Sequence, residues 1–214
     1  MNAKRILEIG GLVAGVVLVA FGIGALVMSI NGRSTVSDEL KAEAIVGSSD
    51  MNPTDIAAAM KQAGLENVAV PSCNVADKPI ENGTDARCFA KYMRIHALES
   101  SGGLTYAQMG RYALKSNPSD PKGTNDPTLA ATDTKGLPLA NGLRNTWVTE
   151  TALSTALNVS YMAEQIALFG LVVGIALLLS GIGFIILALI VLGTAAREEA
   201  AVAGRKIQAQ PTTS

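Results

Sequence analysis

GGLVAGVVLVAFGIGALVMSI, residues 10–30, and IALFGLVVGIALLLSGIGFIILALIVLGTAA, residues 166–196, are the two stretches that decide the fold. Neither contains a charged side chain, and each exceeds the roughly 18 to 20 residues that carry a helix across a hydrocarbon core about 30 Å thick. Both therefore read as membrane-spanning helices. The second is longer than a crossing needs, so it tilts or projects beyond the lipid. These two runs account for the apolar excess of the 214-residue chain, which is 49% hydrophobic with a mean hydropathy of +0.31.

Working outward, Lys4 and Arg5 precede the first run as the charged start of a secretory signal would. The apolar core is longer than a signal usually has, and residues 28–35 offer no small-x-small cleavage site, so an uncleaved anchor is expected. Lys4, Arg5, Arg197, Arg205 and Lys206 flank the outer ends of the two runs, against Arg33 and Lys41 near the inner ends. Basic residues concentrate on the cytoplasmic side. The expectation is a cytoplasmic N-terminus (1–9), a first span (10–30), an extracytoplasmic domain (31–165), a second span (166–196) and a short, disordered cytoplasmic tail (197–214), too small for a signalling domain.

The intervening segment carries 12 basic and 15 acidic side chains, a balance that argues against nucleic acid or anionic lipid as its main partner. Cys73 and Cys88 are the only cysteines. Outside the cell, such a pair amid polar turn residues most simply forms one disulfide. The spacing is not that of a Cys-x-x-Cys redox pair.

Local patterns predict a mainly α domain. Residues 34–46 suit a helix running on from the first span. Asn52, Pro53, Asp55 and Gly64 mark the start and stop of a short helix. Residues 68–75 read as extended. In residues 85–98, Cys88, Tyr92 and Ile95 share one stripe, with Phe89, Met93 and His96 on the next, which is helical spacing. Thr105 opens another expected helix through Leu114. Residues 117–141, rich in Pro, Asp, Thr, Gly and Asn, form an irregular surface loop, the best place for a binding loop. Residues 143–165 contain neither Pro nor Gly and flow into the second span as one helix. Its face of Trp147, Thr151, Ser154, Asn158, Tyr161 and Gln165 is expected to pack on the outer domain. The two Asn-x-Ser/Thr sequons, at Asn82 and Asn158, are read as chance.

One internal repeat lies within the spans. Gly11, Gly15, Gly22 and Gly24 recur as Gly170, Gly174, Gly181 and Gly183 at a constant offset of 159 residues. At about 100° per residue, relative positions 0, 4 and 11 fall on one narrow face where another backbone can approach closely. Gly11, Gly15, Gly22, Gly170, Gly174 and Gly181 are thus the expected packing residues of an antiparallel hairpin, a homo-oligomer or a partner's helix.

Chemistry-bearing groups are sparse. His96 is the one histidine, with Glu99 three residues on. That pair would supply two metal ligands where a catalytic zinc has three and a structural one four. A packing or ion-pair role is expected, and no metal or cofactor. The spans lack the ionisable groups of proton relays, and no phosphate loop, Gly-x-Ser-x-Gly elbow or HExxH helix occurs. The reading is a non-catalytic structural or accessory membrane protein. The alternatives are an extracytoplasmic sensor or ligand-binding module and, behind it, an outer-face enzyme using His96 and Glu99.

YMRIHALE at 92–99 with Gly102, Gly103, Thr105 and Tyr106 following, and WVTETALSTALN at 147–158, resemble a group of two-pass membrane proteins of actinobacteria over nearly the whole chain. Members often carry the name aromatic ring-opening dioxygenase. Ring-opening extradiol enzymes hold iron with two histidines and a carboxylate, and a single histidine cannot build that triad within one subunit. The resemblance implies topology and source rather than an activity.

Overall fold

A computed structural model describes the backbone of residues 3–208 and, within it, the side chains of residues 9–190, 194 and 201. The chain divides into two compact units, one made of Met1–Gly32 and Ile166–Ser214, the other of Arg33–Gln165. Helices α1 (Ala3–Ala42) and α4 (Gly142–Gln208) each contribute to both, while α2 (Pro53–Gln62), α3 (Gly83–Ser100) and a 3-10 turn (Tyr106–Gln108) belong to the second. Among the described residues there is no β-strand, only isolated bridges.

The short helices start where their sequence says they should. Asn52 accepts from the Thr54 and Asp55 amides and donates to the Asp55 carboxylate at 2.6 Å, with Pro53 as the first helical residue. Gly64, at φ +68°, sits just past the end of α2. Asn82 caps α3 in the same manner, accepting from the Asp85 amide at 2.9 Å and donating to its carboxylate at 2.7 Å. The amide of the first sequon is therefore already engaged.

The Arg33–Gln165 unit has one apolar core centred on α3. Tyr92 and Ile56 are fully buried, and Val75, Ile80, Met60 and Trp147 are nearly so. Cys73 and Cys88 form a disulfide, so the extended segment 68–75 is held to the first turns of α3. One turn later the Tyr92 hydroxyl donates to the Cys73 carbonyl at 2.6 Å. Burial pushes that hydroxyl's pKa up. Residues 45–51 pair with 75–80 through bonds such as Val75 to Met51 and Ile80 to Ile45. Gly47 passes so close to the Val75 carbonyl that any side chain would collide with backbone.

Three expectations need correction. The helix expected from Thr105 to Leu114 is only the 3-10 turn. Gln108 bonds back to the Thr105 amide, and from Gly110 onward the backbone serves a different purpose. Tyr112 exchanges two bonds with Thr124, Ala113 bonds with Leu139 and Ala131, and a Cβ on Gly110 would strike the Thr124 backbone. Those pairings give residues 117–141 an ordered framework, tied to the start of α4 by the buried Asn141, whose amide donates to Pro121. Within it Thr128 donates to Asp126 from hydroxyl and amide, which holds that carboxyl below its usual range.

The second correction concerns the first part of α4, residues 143–165. Its buried residues are Trp147, Glu150 and Leu157, whereas Thr151, Asn158 and Gln165 are exposed. Polar residues at helical spacing marked the neighbouring face, because the core-facing one contains a carboxylate, Glu150, which accepts from Ser154 at 2.7 Å. Third, α4 runs on to Gln208 across the expected disordered tail. Residues 197–208 hold Ala, Glu, Arg and Gln, all strong helix formers, and no proline until Pro211. Residues 209–214, and the side chains of Lys4, Arg5, Arg197, Arg205 and Lys206 on which the orientation argument rests, lie outside the described residues.

Candidate functional site

Helices α1 and α4 meet within the first unit through their smallest residues. A Cβ on Gly15 would lie 2.8 Å from the Gly181 carbonyl oxygen, and one on Gly181 would lie 2.7 Å from that of Gly15. Gly22 and Gly174 face each other in the same reciprocal way, at 2.9 and 3.0 Å. At these four positions the obstacle is backbone, which cannot swing aside. Gly11 is looser, with 3.6 Å to the Ala188 Cβ, and Gly170 sits over the Ser29 hydroxyl. Numbers rise along one helix as they fall along the other, so like glycines of the repeat do not meet.

The offset of 159 residues thus marked the right faces but not the contacts. Gly24 and Gly183, the fourth members of the repeat, have nothing within 4 Å. Four further residues complete the seam: Ser29, Gly32, Ala167 and Ala188, with Gly32 lying 3.7 Å from the Ala167 Cβ by the same measure. A stricter signal would have found most of them. Gly15, Gly22 and Ser29 recur every seven residues, as do Ala167, Gly174, Gly181 and Ala188, and all seven are buried. A seven-residue repeat is the period of two helices that stay in contact by supercoiling.

His96 lies near the C-terminal end of α3, one-third exposed, between two carboxylates. Its Nδ1 is 2.9 Å from Glu99 and its Nε2 is 3.5 Å from Asp50. Asp50, which also accepts the Ser48 hydroxyl at 2.6 Å, comes from the distant loop before α2, a partner no local spacing could reveal. The arrangement ties that loop to α3. Among the described residues no group of three or more His, Cys, Asp or Glu side chains has the geometry to hold a metal.

An apolar groove lies elsewhere in the same unit. Leu40 and Ile45 form one wall, Phe89 and Met93 of α3 the floor, and Leu153, Ala156 and Leu157 of α4 the other wall, around about 530 Å³. That volume is within the roughly 300 to 1,000 Å³ of small-molecule sites. Glu39, Glu43 and Ser160 are its polar lining groups. Phe89 and Met93 were legible as a helical stripe; their facing wall was not, since Leu153 and Ala156 lie outside the polar face that drew attention in α4. One residue beyond Met93 in α3, Arg94 stacks over Trp147 at 5.2 Å, and the Trp147 indole donates to Ser101 at 3.2 Å.

Comparison with known proteins returns no matching family model, no matching curated protein and no matching solved structure, so the functional reading rests on these residues alone.

Proposed function

We propose that this chain is a two-span integral membrane protein, with both termini cytoplasmic and residues 31–165 outside, acting as a non-catalytic accessory or structural subunit of an envelope assembly. The observation that carries it is the surface of the α1–α4 pair. Both helices are long and apolar enough to cross a membrane, and only 17% of the most apolar window of each is buried. A core helix of a soluble protein would be mostly covered. Here Phe21, Met28, Phe169 and Leu179 are each more than 60% exposed, and such a surface needs lipid or an apolar partner around it. The glycine seam supports an anchored α1 over a cleaved signal, because removing residues 10–30 would strip the partner from Gly174 and Gly181.

The homo-oligomer reading changes its surface: with the glycines facing each other within one chain, a second copy or partner would meet the exposed large side chains instead. Extraction in mild detergent with native mass spectrometry tests the reading. A stoichiometric partner or a defined oligomer is expected, and a lone monomer with nothing recoverable from cells refutes it. Single cysteines placed at residues 5, 120 and 205 of a variant lacking Cys73 and Cys88, probed with a membrane-impermeant maleimide in intact cells, test the orientation. Only position 120 should react.

A second reading, a ligand-binding outer domain, is favoured by the 530 Å³ groove rather than by the loop 117–141.

A further inference from the structure

The groove between the end of α1, α3 and α4 has a shape and a charge that narrow what it can hold, and we infer that it binds an aliphatic chain bearing an amine head, a lipid-like amphiphile. The inference rests on the ligand-binding reading above and specifies its ligand.

Size comes first. At about 530 Å³ the groove lies within the roughly 300 to 1,000 Å³ of small-molecule sites. A single extended hydrocarbon chain fits the space. Chemistry comes next. Seven of the lining residues are Leu, Ile, Phe, Met or Ala, giving a continuous apolar bed without a buried polar group to satisfy.

Charge decides the head group. Glu39, in the last turn of α1, and Glu43, the residue just past its end, both line the groove; the Glu43 amide donates to the Glu39 carbonyl at 3.3 Å, and both side chains are exposed. Like charges so placed repel each other. No basic side chain lines the groove, and among the described residues neither carboxylate has an ion-pair partner. A cation placed there relieves the repulsion and gains two attractions, while an anionic head would add a third negative charge. Ser160 contributes a hydroxyl at the groove, donated to the Ala156 carbonyl at 3.2 Å, whose oxygen can still accept an N–H.

The test uses the full chain in a neutral detergent and three photoreactive probes with the same aliphatic chain, ending in a primary amine, an alcohol or a carboxylate. Peptide mapping after irradiation locates the labels. The amine probe is expected to label the segments around Phe89, Met93 and residues 153–157 about tenfold more than the carboxylate probe does, an advantage that Glu39→Gln with Glu43→Gln reduces to about twofold. Ala156→Phe, at an exposed lining position that leaves the core intact, should suppress labelling by all three probes. Equal labelling by amine and alcohol overturns the amine assignment and leaves the ligand-binding reading standing. Labelling that ignores Ala156→Phe, or that never reaches the groove, overturns both.

Discussion

The two units bury opposite kinds of residue. Between Arg33 and Gln165 the fully covered side chains are large, Tyr92 and Ile56 foremost, with Trp147 close behind. In the α1–α4 pair the covered positions are Gly15, Gly22, Ser29, Ala167, Gly174, Gly181 and Ala188, while phenylalanines and leucines point outward. The first arrangement is what removal of apolar surface from water produces. The second gains little from that effect and depends on backbones approaching closely enough for dispersion and dipole contacts. One chain therefore uses two kinds of adhesion, and substitutions can separate them.

The largest effect is expected from Tyr92→Ala, which opens a cavity at the centre of the core of the Arg33–Gln165 unit and costs about 4 kcal/mol. Thermal unfolding of that unit should reveal it. A reporter for the other unit is the pair Gly11→Cys with Ala188→Cys, whose Cβ separation of about 3.6 Å suits a disulfide. That cross-link should survive Tyr92→Ala; its loss would mean that the two kinds of adhesion are not separable. The converse substitution, Gly181→Leu, drives a side chain into the Gly15 and Val19 backbone and should cost about 3 kcal/mol. The same cross-link should fall to background while the fluorescence of the single tryptophan, Trp147, and the melting of the Arg33–Gln165 unit hold.

Reducing Cys73–Cys88 frees a loop of 15 residues. The chain-entropy model gives about 3 kcal/mol for that length, near the second substitution in size but confined to the Arg33–Gln165 unit. Melting with and without a reductant measures it. Tyr92→Phe removes only the bond to the Cys73 carbonyl and should cost about 1 kcal/mol. Gly24→Ala sharpens the seam from its open side. With nothing within 4 Å, it should stabilise α1 by up to about 1 kcal/mol or leave it unchanged, and a loss of cross-linking there would contradict the assigned face.

Much of this was legible from the residues. Charge-free runs gave both long helices, an Asn-Pro start with an Asp three residues on placed α2, the stripes in residues 85–98 placed α3, and the lone cysteine pair gave the disulfide. What failed did so for physical reasons. The helix expected after Thr105 lost to backbone pairing with residues 124 to 140, and such non-local pairing leaves no trace in helical periodicity. Asp50 joins His96 from 46 positions away for the same reason. The groove escaped notice because it is assembled from three helix faces, each unremarkable alone. In the seam, helical angles were right, but a register between opposed helices cannot be read from a repeat within them.

That register also restricts how the two long helices can change over generations. Inserting one residue between Gly15 and Gly22 turns every later position by about 100° and swings Ser29 away from Gly170. Seven inserted residues nearly restore the facing, lengthening the helix by about 10.5 Å. Related chains should therefore differ in these segments by substitution or by whole repeats, and single-residue gaps should collect in the connections outside them.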